Sequence, residues 1–149
     1  LPRILEQSAL DNAPVSVIMF DIDRFKQAND AHGHRAGDRL LVTLSRLLTR
    51  HSRPGDIVCR FGGDEFVLVL PRTLVAVAVE RAEEIRRAFR ESAIPDLSPT
   101  AQPTLSAGVA LFPVHGRTQD ELLHAADEAL YQAKEAGRDC IRTANPRTG

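Results

Sequence analysis

Two pairs of acidic residues sit where apolar runs end rather than on solvated helix faces. Asp21 and Asp23 flank Ile22 at the end of Val15-Ser16-Val17-Ile18-Met19-Phe20, and Asp64 and Glu65 follow Gly62-Gly63. Carboxylates brought to one point repel each other unless a divalent cation neutralises them, and hard oxygen donors suit Mg²⁺ or Mn²⁺. If the two segments are neighbours in a sheet, up to four carboxylates converge there. Gly62-Gly63 also leaves the backbone bare beside those acids, so a phosphate or a nucleobase can come close. Of the 19 basic residues only Lys26 and Lys134 are lysines, each just past one of the segments with chemistry in it. Lys134 and Arg138 are four apart, a spacing suited to holding a triphosphate. Simpler readings stay open: Asp21 and Asp23 as helix caps, Gly-Gly-Asp as a turn, Lys134 and Arg138 as partners of a helix dipole.

The elements that must position these groups follow from periodicity. The run from Val15 to Phe20 is nearly continuous in apolar residues and reads as a buried central strand. Leu40, Leu41, Leu44, Leu47 and Leu48 mark one face of a helix that the Ser52 to Gly55 cluster ends. Asp56 to Phe61 and Glu65 to Leu70 read as a β-hairpin around the glycines, with Pro71 stopping its second strand. Val75, Val79, Ala82, Ile85 and Phe89 give a second helix over residues 74–91. A loop containing Pro95, Pro99 and Pro103 leads to a strand from Leu105 to Phe112. Thr118 to Glu121 is a capping box opening a helix with the stripe Leu122, Ala126, Ala129, Leu130 and Ala133, and with Gly137 as its cap. Cys140 to Arg142 reads as a last edge strand. The order points to one α+β domain over residues 1–149, close to ferredoxin-like, with residues 1–13 the start of the domain and a frayed tail from 144 to 149.

Composition narrows the function. A chain of 149 residues with 43% hydrophobic and 26% charged residues is a globular domain of ordinary size. Its net charge of −1, from 19 basic and 20 acidic residues, excludes a general nucleic-acid or membrane-surface binder. Two cysteines, Cys59 and Cys140, are too few for a disulfide scaffold, which favours a reducing cytoplasm, and both are expected in the core. The arginines at 86, 87 and 90, offset by Glu83, Glu84 and Glu91, read as a solvated face. The histidines never reach a zinc spacing, and no Walker loop, dinucleotide fingerprint or nucleophile elbow is present.

With Arg60-Phe61-Gly62-Gly63-Asp64-Glu65-Phe66 in view, the chain resembles the GGDEF-domain diguanylate cyclases, bacterial enzymes that condense two GTP into cyclic di-GMP. Asp21-Ile22-Asp23-Arg24-Phe25-Lys26 looks like the family's DIDxFK. Asn29-Asp30, Gly33-His34 and Gly37-Asp38 look like its NDxxGHxxGD. Ser106-Ala107-Gly108-Val109, Ala126 to Tyr131, and Ala133-Lys134 with Gly137-Arg138 follow in the family's order.

The resemblance implies a palm-like, mostly antiparallel central sheet whose β-hairpin carries the signature, with flanking helices. It implies two Mg²⁺ or Mn²⁺ ions per active site, held by Asp21, the Ile22 carbonyl and Asp64, with Glu65 as a further ligand and base. Asn29 and Asp38 would bind guanine. Lys26, Lys134 and Arg138, with backbone near Phe25, would grip the β- and γ-phosphates, and Gly62 and Gly63 would lie against the nucleotide. One domain holds one GTP, so a homodimer is implied, in the cytoplasm and with neither nucleic acid nor membrane as partner. Arg53-Pro54-Gly55-Asp56 matches the family's RxxD motif for inhibition by cyclic di-GMP, although a turn with charged ends reads the same way. Glu84 stands where some members place an arginine against the bound product, so inhibition is expected to be weak. Ala28, His32 and Asp139 are smaller departures, none at a metal or guanine position. Only Leu1-Pro2-Arg3 matches the opening motif that ends in LPNR, so a sensor domain is expected upstream.

Overall fold

The computed structural model describes residues 1–94, 97 and 102–146. Ten elements follow in the order α1 (Pro2–Asp11), β1 (Val15–Ile22), α2 (Phe25–His32), α3 (His34–Arg50), β2 (Ile57–Arg60), β3 (Glu65–Pro71), α4 (Val75–Glu91), β4 (Leu105–Phe112), α5 (Gln119–Glu135) and β5 (Ile141–Thr143). The strands form one sheet in the order β2-β3-β1-β4-β5. The first four are antiparallel, in the ferredoxin-like order, and β5 adds to β4 in parallel.

β1 is buried along its whole length because helices cover both faces of the sheet. Ile18, Phe20 and Ile22 pack with the α3 leucines and with Ala82, Ile85 and Phe89 of α4. Val15, Val17 and Met19 pack with Leu5 of α1 and with Leu122, Ala126 and Leu130 of α5. The α5 stripe expected from spacing is the buried one. Helix and sheet touch most closely at Gly108, where a Cβ would fall 2.1 Å from the Ala126 carbonyl oxygen. Thr118 caps α5 as expected, accepting from the Glu121 N–H, but Glu121 reaches past the cap to accept from the Arg117 N–H.

Several expectations need correction. α1 and α2 bury only Leu5 with Ser8 and only Ala28, respectively, too few positions to leave a periodic signal. Pro71 ends β3 as expected, although it is itself the strand's last residue, paired with Val15. Cys59 is exposed and Cys140 half-buried, so neither belongs to the core. Cys59 lies on the edge strand β2, and Cys140 donates its thiol to the Ala133 carbonyl at 3.4 Å. Ala144 is buried and donates its N–H to Val109, so order extends at least that far into the expected frayed tail. Pro95, Pro99 and residues 147–149 lie outside the described residues.

Candidate active site

β1 delivers Asp21 to a cavity of about 190 Å³ at the end of the sheet, lined by Asp21, Ile22, Asp23, Arg24, Phe25, Lys26, Gln27, Asp64, Lys134 and Arg138. The sheet makes this possible, since Asp21 lies opposite Glu65 of β3 and Ser106 of β4. Only 5% of Asp21 is exposed. Lys134 donates to its Oδ2, while Oδ1 is buried without any hydrogen-bond partner. Burial, first, and then the neighbouring Asp64 carboxyl push the Asp21 carboxyl up to about 7, against the opposing pull of Lys134. A buried acceptor left unmatched is uncommon and marks a place where another group belongs.

The expected convergence of four carboxylates is reduced to a pair. Asp23, 3% exposed, takes its bonds elsewhere: Thr104 Oγ1 donates to Oδ2 and Ser106 Oγ to Oδ1, both at 2.7 Å, and the Asp139 N–H donates to Oδ2 at 3.0 Å. Glu65 lies back over the hairpin, its Oε2 3.6 Å from where a Cβ on Gly62 would stand. Among the described residues, no three acidic, histidine or cysteine side chains gather closely enough to hold a metal ion.

The basic residues come from two helix ends. α2 begins at Phe25 and Lys26, both lining the cavity, after Arg24 in a left-handed conformation with no side-chain cap. Its first N–H groups lack intrahelical partners and present positive partial charge. α5 ends in a Schellman motif, in which Gly137 (φ +112) donates to Lys134 and Arg138 donates to Ala133. That ending brings Lys134 and Arg138 to the same cavity. Lys134 is committed to Asp21, not to the helix carbonyls.

Asn29 lies in α2 and Asp38 in α3, on either side of the α2–α3 corner, and neither lines the cavity that holds Asp21 and Asp64. Asn29 lies against His34, Nδ2 to Nδ1 3.3 Å, and crosses Gly37 so closely that a Cβ there would be 2.4 Å from Asn29 Oδ1. Asp38 is exposed on the next residue. Arg53 and Asp56 form a turn on the far side of the hairpin. The Arg53 N–H donates to Asp56 Oδ2, and Arg81 of α4, itself buried, donates to the same oxygen at 2.6 Å. Glu84 lies 3.8 Å from His51.

Sequence reasoning missed four side chains. Arg60 donates to the carbonyls of Gly62 (3.1 Å) and Gly63 (2.6 Å), fixing the hairpin tip, and a basic residue two before a Gly-Gly pair is the signal for it. Arg81 holds Asp56. Arg86 and Arg90, read as a solvated face, both bind Asp139.

Residues 2–140 match the family described as diguanylate cyclase, GGDEF domain. The chain is 43% identical over 129 residues to diguanylate cyclase DgcM of Escherichia coli, covering 87% of this chain and 30% of that protein. It is 37% identical over 143 residues to the response regulator PleD of Caulobacter vibrioides, covering 95% of this chain and 32% of that protein. The crystal structure of the GGDEF domain of TpbB from Pseudomonas aeruginosa superimposes with a TM-score of 0.91 at 37% identity, covering 99% of this chain and 92% of that domain. The chain thus spans about a third of the curated relatives it matches.

Proposed function

The chain belongs to the GGDEF domain family of diguanylate cyclases, and from that premise we propose that it condenses two GTP molecules into cyclic di-GMP, a bacterial second messenger, releasing pyrophosphate. The observation that carries this reading is Asp21, a buried carboxylate with an orphaned Oδ1 beside Asp64 and its pKa raised to about 7. That donor set fits a divalent cation. Asp21, the Ile22 carbonyl and Asp64, with Glu65 as a further ligand, are the groups that would hold two Mg²⁺ or Mn²⁺ ions. Mg²⁺ commonly takes one or two carboxylates and completes its shell with water and substrate phosphates, so a closed cage of acids is not required. When bound, such ions neutralise charge on the reacting phosphate and lower the pKa of the attacking hydroxyl.

The chain's own groups do the rest. Lys26, Lys134, Arg138 and the N–H groups at Phe25 hold the β- and γ-phosphates, and Gly62 and Gly63 let the nucleotide lie against bare backbone. Asn29 and Asp38 hydrogen-bond the guanine edge, an amide and a carboxylate suited to its acceptor and donor groups. Glu65 accepts the proton of the 3′-hydroxyl that attacks the α-phosphorus of the other GTP. Catalysis then rests on positioning and charge. One chain supplies half of the site, so two chains face each other as a homodimer, without nucleic acid or membrane as partner. Arg53 and Asp56 bind the product weakly, because Glu84 adds a negative charge nearby and Arg81 already occupies Asp56. Among the described residues no helix is long and apolar enough to cross a membrane, and we assign the domain to the cytoplasm.

Incubation with GTP and Mg²⁺ at several protein concentrations, followed by mass spectrometry, tests this. Cyclic di-GMP forming with more than first-order dependence on protein, and lost in Glu65→Ala, is the expected result. GTP binding without product at any concentration would make the domain a nucleotide-binding module and overturn the reading.

A further inference from the structure

We propose that Asp139 is a positioning residue that aims Arg138 at the triphosphate, held from one side by β4 and by Asp23 in the loop after β1, and from the other by α4. The inference rests on the reading of the cavity as a GTP site and adds the part that sets its phosphate grip.

After the Schellman turn the chain does not relax into extended backbone. Arg138 (φ 64) and Asp139 (φ 50) are two successive non-glycine residues in the left-handed region. Each such residue is disfavoured for L-amino acids and persists only where the surroundings hold it. Here the hold is explicit. The Asp139 N–H donates to Asp23 Oδ2 at 3.0 Å and to Ser106 Oγ at 3.1 Å. Its carboxylate accepts from Arg86 Nη1 at 2.7 Å and from Arg90 Nη1 at 3.2 Å. Arg86 is braced in turn by Glu83 of its own helix. Asp139 is therefore fixed at backbone and side chain by groups from β4, α4 and the loop that follows β1, and the residue before it lines the cavity. Lys134 lies within α5 and owes its place to the helix. Arg138 lies beyond the helix, held on one side by its N–H to Ala133 and on the other by the clamped Asp139.

This separates two kinds of phosphate contact by experiment. Affinities would be measured for α,β-methylene GTP, which cannot be cyclised, and for GMP, both with Mg²⁺, in the wild type, Asp139→Ala, Arg138→Ala, the double variant and Asp139→Asn. Asp139→Ala is expected to weaken the triphosphate about five- to tenfold, the scale of one charge-assisted contact, and to leave GMP unchanged. In the Arg138→Ala background the same change should have no further effect, because a residue acting through Arg138 has nothing left to act on. Asp139→Asn keeps a side-chain acceptor for Arg86 and should restore most of the affinity. Equal weakening of triphosphate and GMP, or an undiminished Asp139→Ala effect without Arg138, would assign Asp139 to general stability and overturn the proposal. If Asp139→Ala does not fold, Arg90→Ala removes one exposed arm of the clamp, and a triphosphate affinity identical to wild type would count against it. A wild type that binds neither nucleotide overturns the GTP reading itself, and the proposal falls with it.

Discussion

The two sides of the end of β1 treat the same residue type in opposite ways. On the cavity side Asp21 is buried with one oxygen against Lys134 and the other unmatched. Facing the Asp139 segment, Asp23, equally buried, accepts three hydrogen bonds from Thr104, Ser106 and Asp139. Burying a carboxylate is costly, and the cost is offset where its lone pairs find donors. The Asp23 side is thus assembled by the fold alone, whereas the Asp21 side is left incomplete until something outside the chain arrives. The contrast teaches which acid belongs to structure and which to chemistry, a distinction the Asp-Ile-Asp spacing conceals.

The sharpest way to break the contrast is to neutralise each acid in turn. Asp21→Asn is expected to lower cyclic di-GMP formation roughly a thousandfold or more, the scale at which a group holding a catalytic cation is lost. Asp23→Asn should act differently, lowering triphosphate affinity through the Asp139 segment while retaining measurable turnover at saturating GTP. Steady-state kinetics by product quantification would read both. Equal and complete loss of turnover in the two variants would erase the distinction.

Stability should run the other way. Asp23→Ala leaves two hydroxyls and one backbone N–H without their acceptor, which we expect to cost about 2–3 kcal/mol, or roughly 5–10 °C in Tm for a domain of this size. Asp21→Asn removes a charge that its surroundings disfavour even with Lys134 beside it, and should stabilise the metal-free protein at pH 8 by on the order of 1 kcal/mol. Calorimetry of the two variants beside wild type checks the opposite signs.

Much of the cavity was legible because its residues sit at punctuation in the sequence. Asp21 and Asp64 end or begin strands, and the four-residue step from Lys134 to Arg138 with Gly137 between announces a helix end. The partners that complete the other side were not legible. Arg86 and Arg90 reach Asp139 across 53 and 49 residues, and no local spacing reports such a contact. Strand alternation would place Asp21 and Asp23 on one face, but the chain leaves β1 at Ile22 and the second carboxylate turns to β4 instead. α2 escaped because a helix that buries only Ala28 carries no period. Cys59 was misplaced for a different reason: its residue type favours the interior, while its position on an edge strand exposes it.

The finest test of the contrast is the pH dependence of that stabilisation. The Asp21 carboxyl has its pKa raised from 3.8 to about 7 on folding, so between those values the folded chain binds more protons than the unfolded one. Stability contributed by this group is then fully present below about pH 4 and is lost as pH rises through 7. Asparagine mimics the protonated carboxyl at every pH. The Tm difference between Asp21→Asn and wild type should therefore be near zero at pH 4, grow up to about pH 7 and level off above it. Mg²⁺ favours the ionised carboxylate, so adding it at pH 6 should release protons from wild type, measurable by titration calorimetry in buffers of different ionisation enthalpy. A Tm difference that is flat with pH, or metal binding with no proton release, would show that Asp21 is ionised and satisfied in the free chain, as Asp23 is satisfied by its donors.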